Sequence, residues 1–413
     1  MTITNNQIKA FSEKIADLYE HILLSDIPEE AAFLGYLDQS TQFALDENGY
    51  HKSYFNLLQS VFQLPSIGEM WSEDGIQDLG HQLLLNLAET KKLSQRPPDF
   101  FEFARIWLEK INIEFKESTC YIAIAGLSVE MPLELGDVTI LPVHTQIPEF
   151  IDDISISFQE KLNPNRDSIS CSKVTAEWRR SAQIHREKTE QALNVLRFIG
   201  SLIWHDQPTR HIFVASENPK RISDSIVVTE NGEVSHVNTS DFTPIPLQID
   251  SETIEYAEYF GLKQIQTLLN TPVTSEIEQS FLTAIQWFGQ ATQELLPLVA
   301  FVKYYIAIEA ALKKPGENAK RVLPRRLGVL IQPWNPTKLA KLEVDLRSFI
   351  DERNAVFHSG IPISKTPQEL QWEARILARQ TLHQLRLRLN SENWQTKDDL
   401  IAWTNTQFRK FTA

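Results

Sequence analysis

The stretch from Leu295 to Leu312, LLPLVAFVKYYIAIEAAL, most narrows what this chain can fold into. It is almost continuously apolar, so a helix built from it has little surface to offer water and must be covered on nearly all sides. A bilayer or the centre of a helical bundle would cover it. Pro297, Lys303 and Glu309 interrupt the run, and it falls short of the ~20 residues that a membrane-spanning helix needs. The reading is a buried helix with one polar strip and no membrane association. Its partners lie on either side. SEIEQSFLTAIQWFGQAT sets Ile277, Phe281, Ile285 and Phe288 on one helical face behind Ser275, a residue suited to an N-cap. KLAKLEVDLRSFIDERNAVFHSG turns Leu339, Leu342, Leu346, Phe349 and Ile350 inward, and Gly360 and Pro362 end it. A last long helix opens at TPQE and runs to about Leu389, with Thr366 as cap, Pro367 in the first helical position and Glu369 completing a capping box. Residues 251–413 thus read as an all-α bundle.

The rest of the chain divides by periodicity. Residues 1–115 read as helical: Ile8, Phe11, Ile15, Leu18 and Ile22 recur at three- and four-residue steps, and SQRPPDF (95–101) separates two later helices. Residues 116–250 read as α+β. TCYIAIAGLSVEMPLELGDVTILPV is rich in β-branched residues and punctuated by Gly126 and Gly136, which predicts short strands. A helix is predicted from about Lys173 to Trp204, with Ala192, Val195, Leu196 and Ile199 buried. HIFVAS and SIVVTENGEVSHV predict further strands, the second folded at Asn231-Gly232 as a hairpin, and TSDFTPIPLQIDS is a turn-rich linker. The expected class is mainly α with an α+β middle region.

The chain carries a net charge of −14, which argues against nonspecific nucleic-acid binding over the whole surface. Yet Lys303 to Arg347 holds ten basic and four acidic residues, a local charge of +6. Two cysteines, Cys120 and Cys171, are too few for a disulfide framework and lack zinc-ligand spacing. The start, MTITNNQIKAFSEK, has no basic-then-apolar pattern, so a cytoplasmic location is expected. No P-loop, G-x-G-x-x-G, H-E-x-x-H or G-x-S-x-G motif occurs, and the reading calls for no metal and no cofactor.

What remains is DERNAVFHSG, residues 351–360, with an arginine five residues before a histidine. Metal-independent RNA cleavage needs a base for the ribose 2′-OH, an acid for the departing 5′-oxygen and a fixed cation for the charge on phosphorus. Histidine serves the first two roles near neutral pH, and arginine serves the third with a forked set of donors. The spacing alone is weak: Arg180 and His185 reproduce it in a basic cluster that reads as a solvated helix face. On a regular helix five residues turn through about 500°, leaving two side chains about 140° apart. Arg353 and His358 precede Gly360, where the helix is expected to unwind and let both face one cleft.

Residues 251–413 resemble the HEPN family, an all-α bundle, and within it the ApeA-type branch of phage-abortive proteins. The likeness rests on Arg353-Asn354 followed after three residues by His358, matching the R-[polar]-x(3–5)-H motif of the ribonuclease members, and on Glu309 to Lys314, matching E-x-x-x-[KR]-[KR] on an earlier helix. AIQWFGQATQ and YYIAIEAAL also resemble that branch's first two helices. The resemblance covers under half of the chain. It implies a metal-independent endoribonuclease of toxin or antiphage-defence type, a homodimer through this bundle, leaving a 2′,3′-cyclic phosphate. Carried over, His358 is the general acid or base, Arg353 binds the scissile phosphate and Asn354 orients one of them. Glu309 and Lys313 support the site, and Lys314, Lys320, Arg321, Arg325 and Arg326 form an RNA track. Residues 1–250 would sense a trigger ligand or phage protein, or restrain the nuclease. The rival expectation is a non-catalytic HEPN module, a dimerisation or nucleotide-binding scaffold. A weaker third is an antitoxin-like partner of a nucleotidyltransferase.

Overall fold

The computed structural model describes residues 4–24, 27, 33–36, 42–46, 48–93, 96–111, 115, 117–147, 158–204, 212–214, 224–228, 234–238, 246–272, 274–331 and 336–412. The protein is mainly α. Its two compact units do not follow the sequence boundaries expected at 115/116 and 250/251: one comprises residues 1–120 with 173–185, the other 121–172 with 186–413.

The first unit is built on α1 (Asn5–Glu20), α2 (Phe55–Phe62), α3 (Pro65–Met70), α4 (Glu73–Leu93) and α5 (Phe100–Ile111). Thr4 caps α1 in a capping box with Gln7, and the periodic face Ile8, Phe11, Ile15, Leu18 lies in the core. The helical expectation missed a three-stranded antiparallel sheet, β1 (Ile22–Leu23), β2 (Phe33–Tyr36) and β3 (Gln42–Leu45), in the order β1-β3-β2. Strands of two to four residues are too short to write an alternating pattern. Residues 173–185 complete the unit. The buried Glu177 accepts from Ser72 Oγ at 2.8 Å, and its own N–H donates to the Met70 carbonyl at 2.8 Å. Arg180 Nε donates to the Glu69 carbonyl at 3.3 Å, and His185 is fully buried. The basic cluster of Arg180 and His185 is therefore packed into this unit and is not the solvated face its composition suggested.

The second unit contains the larger core. Strands β4 (Glu117–Ala125), β6 (Leu133–Leu135), β7 (Val138–Pro142), β8 (Asp167–Thr175) and β9 (Phe213–Val214) form a sheet in the order β6-β7-β8-β4-β9. β5 (Leu127–Val129) pairs in parallel with β12 (Leu247–Ile249). β10 (Asp224–Val228) and β11 (Val234–Asn238) pair antiparallel with Val228 opposite Val234, while the Asn231-Gly232 turn lies outside the described residues. Residues 173–175 belong to β8, so the helix that follows, α6 (Trp178–Ile203), starts later than its sequence predicts.

Helices α7 (Ser251–Tyr259), α8 (Leu262–Asn270), α9 (Glu276–Gln293), α10 (Pro297–Leu312), α11 (Ala319–Ile331), α12 (Pro336–Ser359), α13 (Pro367–Glu392) and α14 (Lys397–Thr412) complete this unit. α10 buries Phe301, Tyr304, Tyr305 and Ile308 at the centre, flanked by α9 and α13, as its apolar sequence requires. The capping boxes Ser275–Glu278 and Thr366–Glu369 start α9 and α13. No domain boundary falls at residue 250 because sheet and helices share one core. Phe198 of α6 meets Phe281 and Phe288 of α9 edge-on, and Asn194 Nδ2 donates to Gln286 Oε1 at 2.7 Å. Gly289 makes this approach workable: a Cβ there would overlap the Asn194 side chain. No helix among the described residues is long and apolar enough to cross a membrane.

Candidate functional site

Helix α10 sets Tyr305, Glu309 and Lys313 four residues apart on one face. Helix α12 brings Arg353, Asn354 and Phe357 against that face. Arg353 lies between two rings, its guanidinium carbon 5.0 Å from the Tyr305 centroid and 4.8 Å from that of Phe357. Each such contact contributes roughly 0.5–2 kcal/mol, more as it is desolvated. Arg353 Nη2 stands 3.7 Å from Glu309 Oε2, and Lys313 Nζ stands 3.6 Å from Glu309 Oε1. Both separations exceed hydrogen-bonding distance, so Glu309 balances two cations without gripping either. Arg353 Nη1 donates to Asn354 Oδ1 at 3.3 Å, and its buried Nε has no partner. The Tyr305 hydroxyl is pushed far above the usual phenol range, by burial first and by the Glu309 charge second.

The acids beside Arg353 in sequence are occupied elsewhere. Asp351 pairs with Lys320 at 2.7 Å. The buried Glu352 accepts from the N–H groups of Ile363 and Ser364 at 2.7 and 2.9 Å. Burial alone would raise the Glu352 carboxyl, but these bonds and the Ser364 hydroxyl outweigh it and hold the group below its ordinary value. They also pin the chain just past the end of α12.

His358 is exposed on the last turn, and its ring meets Phe357 edge-on with centroids 5.6 Å apart. The expected unwinding before Gly360 does not occur. α12 stays helical through Ser359, and Gly360, at φ +71°, ends it with its N–H bonded to the Val356 carbonyl at 2.9 Å. Arg353 and His358 therefore remain about 140° apart around one helix axis, the arginine turned toward α10 and the histidine toward solvent.

The basic segment is largely paired within the fold. Arg326, only 6% exposed, holds both Glu317 oxygens at 2.6 Å and the Leu312 carbonyl at 2.8 Å. The Arg326 bonds bring the Glu317 carboxyl down to about 2. This arginine is a structural cap on the negative end of α10 and does not present itself to RNA, a correction to its predicted role. Lys397 adds a second cap through the Lys313 carbonyl at 2.8 Å, and burial lowers its pKa. Lys314 pairs with Asp398 at 2.8 Å, and Arg325 lies 4.3 Å over the Phe408 ring. Arg321 is exposed and forms no ion pair among the described residues. Sequence reasoning missed Tyr305, Phe357, Glu317 and Lys397. The first two were within reach, since each stands four residues from a residue already singled out. Glu317 and Lys397 act through contacts that no helical spacing encodes.

The chain matches no protein-family model, no curated protein and no solved structure.

Proposed function

We propose that the protein is a metal-independent endoribonuclease of the HEPN type, acting as a homodimer in defence against phage. The observation that carries this reading is Arg353: a half-buried guanidinium fixed by two rings and held only loosely by its nearest carboxylate. Its remaining donors suit a phosphate oxygen. In the reaction His358 takes the proton of a ribose 2′-OH, and the 2′-oxygen bonds to phosphorus as the bond to the 5′-oxygen breaks. The leaving oxygen gains a proton from a second acid, and Arg353 stabilises the charge that gathers on the phosphoryl oxygens. The products are a 2′,3′-cyclic phosphate and a 5′-hydroxyl. Asn354 orients Arg353, and Glu309 and Lys313 tune it. Because Arg353 and His358 diverge on one helix, a second copy of the chain supplies the complementary group. Residues 1–250 sense the trigger.

The test is RNA integrity and growth in cells expressing wild type, Arg353→Ala or His358→Ala under phage challenge, with Arg180→Ala as control. Cleavage should be lost in the first two variants only. Coexpressing Arg353→Ala with His358→Ala should restore part of it. Identical RNA profiles in wild type and both single variants during an active phage response would sink the proposal. One observation favours the rival scaffold reading: Lys314, Lys320 and Arg326 are neutralised by Asp398, Asp351 and Glu317, which leaves Arg321 and Arg325 as the open part of an RNA track.

A further inference from the structure

Helix α13 carries a second set of cations away from Arg353. Arg375, Arg379, His383 and Arg386 follow at steps of four, four and three residues, so they form a row along one face, about 16 Å long. Buried nitrogens along it have no hydrogen-bond partner: Nε and Nη2 of Arg375, Nδ1 of His383 and Nε of Arg386. Arg386 is only 5% exposed, and its one hydrogen-bonding side chain is the neutral Gln264, at 3.4 Å. Arg379 reaches the Ser201 carbonyl at 3.2 Å.

No carboxylate among the described residues pairs with Arg375, His383 or Arg386. The acids of the same helix are engaged elsewhere: Glu369 in the cap, Glu373 with Lys365 at 2.6 Å and Glu392 with Arg388 at 3.5 Å. The charges nearest His383 are of the same sign as its own conjugate acid. Burial first, then Arg386 and Arg379, push its pKa down. Uncompensated cations taken this far out of water are costly, and an anion removes that cost.

We propose that this row binds a small polyphosphate, a triphosphate group either free or carried on a nucleoside. Arginine forks match phosphate oxygens two at a time. Three guanidinium charges, with a fourth when His383 is protonated, are close to what a triphosphate carries near neutral pH. A bound triphosphate raises the His383 pKa, so ligand and proton bind together.

Isothermal titration of the full chain at low salt, with sodium triphosphate, ATP and adenosine, tests this. Triphosphate and ATP should bind and adenosine should not. Equal affinities identify a free polyphosphate as the ligand class, and tighter ATP binding identifies a nucleotide. Arg375→Gln and Arg386→Gln should each weaken binding by about tenfold or more, with Arg375→Lys weakened less. If Arg386→Gln fails to fold by circular dichroism, Arg375→Gln at the more open end carries the test. The His383 imidazole resonances should titrate at higher pH with triphosphate present. Arg353→Ala should bind as wild type does, which separates this site from the proposed nuclease centre. No binding of triphosphate or ATP at millimolar concentration would overturn the proposal. So would affinity unchanged in Arg375→Gln, or affinity lost in Arg353→Ala.

Discussion

Arg326 and Arg353 each meet a glutamate beside helix α10, and they do so in opposite ways. Arg326 is saturated: two bonds of 2.6 Å to Glu317, one of 2.8 Å to a backbone carbonyl, and almost no exposure. Arg353 stands 3.7 Å from Glu309, keeps an unpaired Nε and is positioned by aromatic faces. Hydrogen bonds fix a side chain by consuming its donors. Ring contacts fix it and leave the donors open. An arginine meant to hold a passing phosphate has to be placed in the second way, and one meant to close a helix end in the first.

That contrast can be broken by substitution. The largest effect is expected from Arg353→Ala, which should lower RNA cleavage by about 10³-fold or more while changing unfolding free energy by only about 1 kcal/mol. Cleavage assays paired with urea denaturation check both halves. Arg326→Ala should show the reverse, losing about 3 kcal/mol of stability because Glu317 is left half-buried and unpaired. Its cleavage per folded molecule should be unchanged. Loss of cleavage with intact stability in Arg326→Ala would erase the distinction.

The acid limb of the stability curve sharpens the comparison further. The Glu317 carboxyl is depressed from an ordinary 4.5 to about 2 in the folded chain. Its contribution is therefore complete above the ordinary value and is lost as pH falls toward the folded one. Arg326→Met should flatten the stability curve between these two values relative to wild type, and denaturation at stepped pH measures it. The smallest effect is expected at the exposed Lys320–Asp351 pair, where Lys320→Gln should cost under about 0.5 kcal/mol. A larger loss would mean that surface pairing, and not the buried cap, holds this region.

Local signals in the sequence foretold the helical elements well. Ser275 and Thr366 cap where their three-residue partners predict, and Gly360 stops α12. These are contacts within one turn, which spacing encodes. The partners of the basic segment were not legible, because Lys314 finds Asp398 and Lys397 finds the Lys313 carbonyl across 84 positions of chain. The boundary at residue 250 failed for a similar reason. A turn-rich linker marks a change of element, and it carries no information on whether Phe198 and Phe288 share a core across it. At the candidate site, residue types and order were readable. The orientation of His358 away from Arg353 was not, since the glycine that ends the helix did so after both residues instead of between them.

The first unit draws on residues 1–120 and again on 173–185. No single cut of the chain releases it whole, because Glu177 and its bonds to Ser72 and Met70 would leave with the other piece. During synthesis its five helices leave the ribosome well before the strand end and helical turns that complete it. The nascent unit must wait, with the pocket for Glu177 unfilled, while part of the second unit's sheet is made. Assembly of the N-terminal unit is thereby timed by the sequence that separates its two parts.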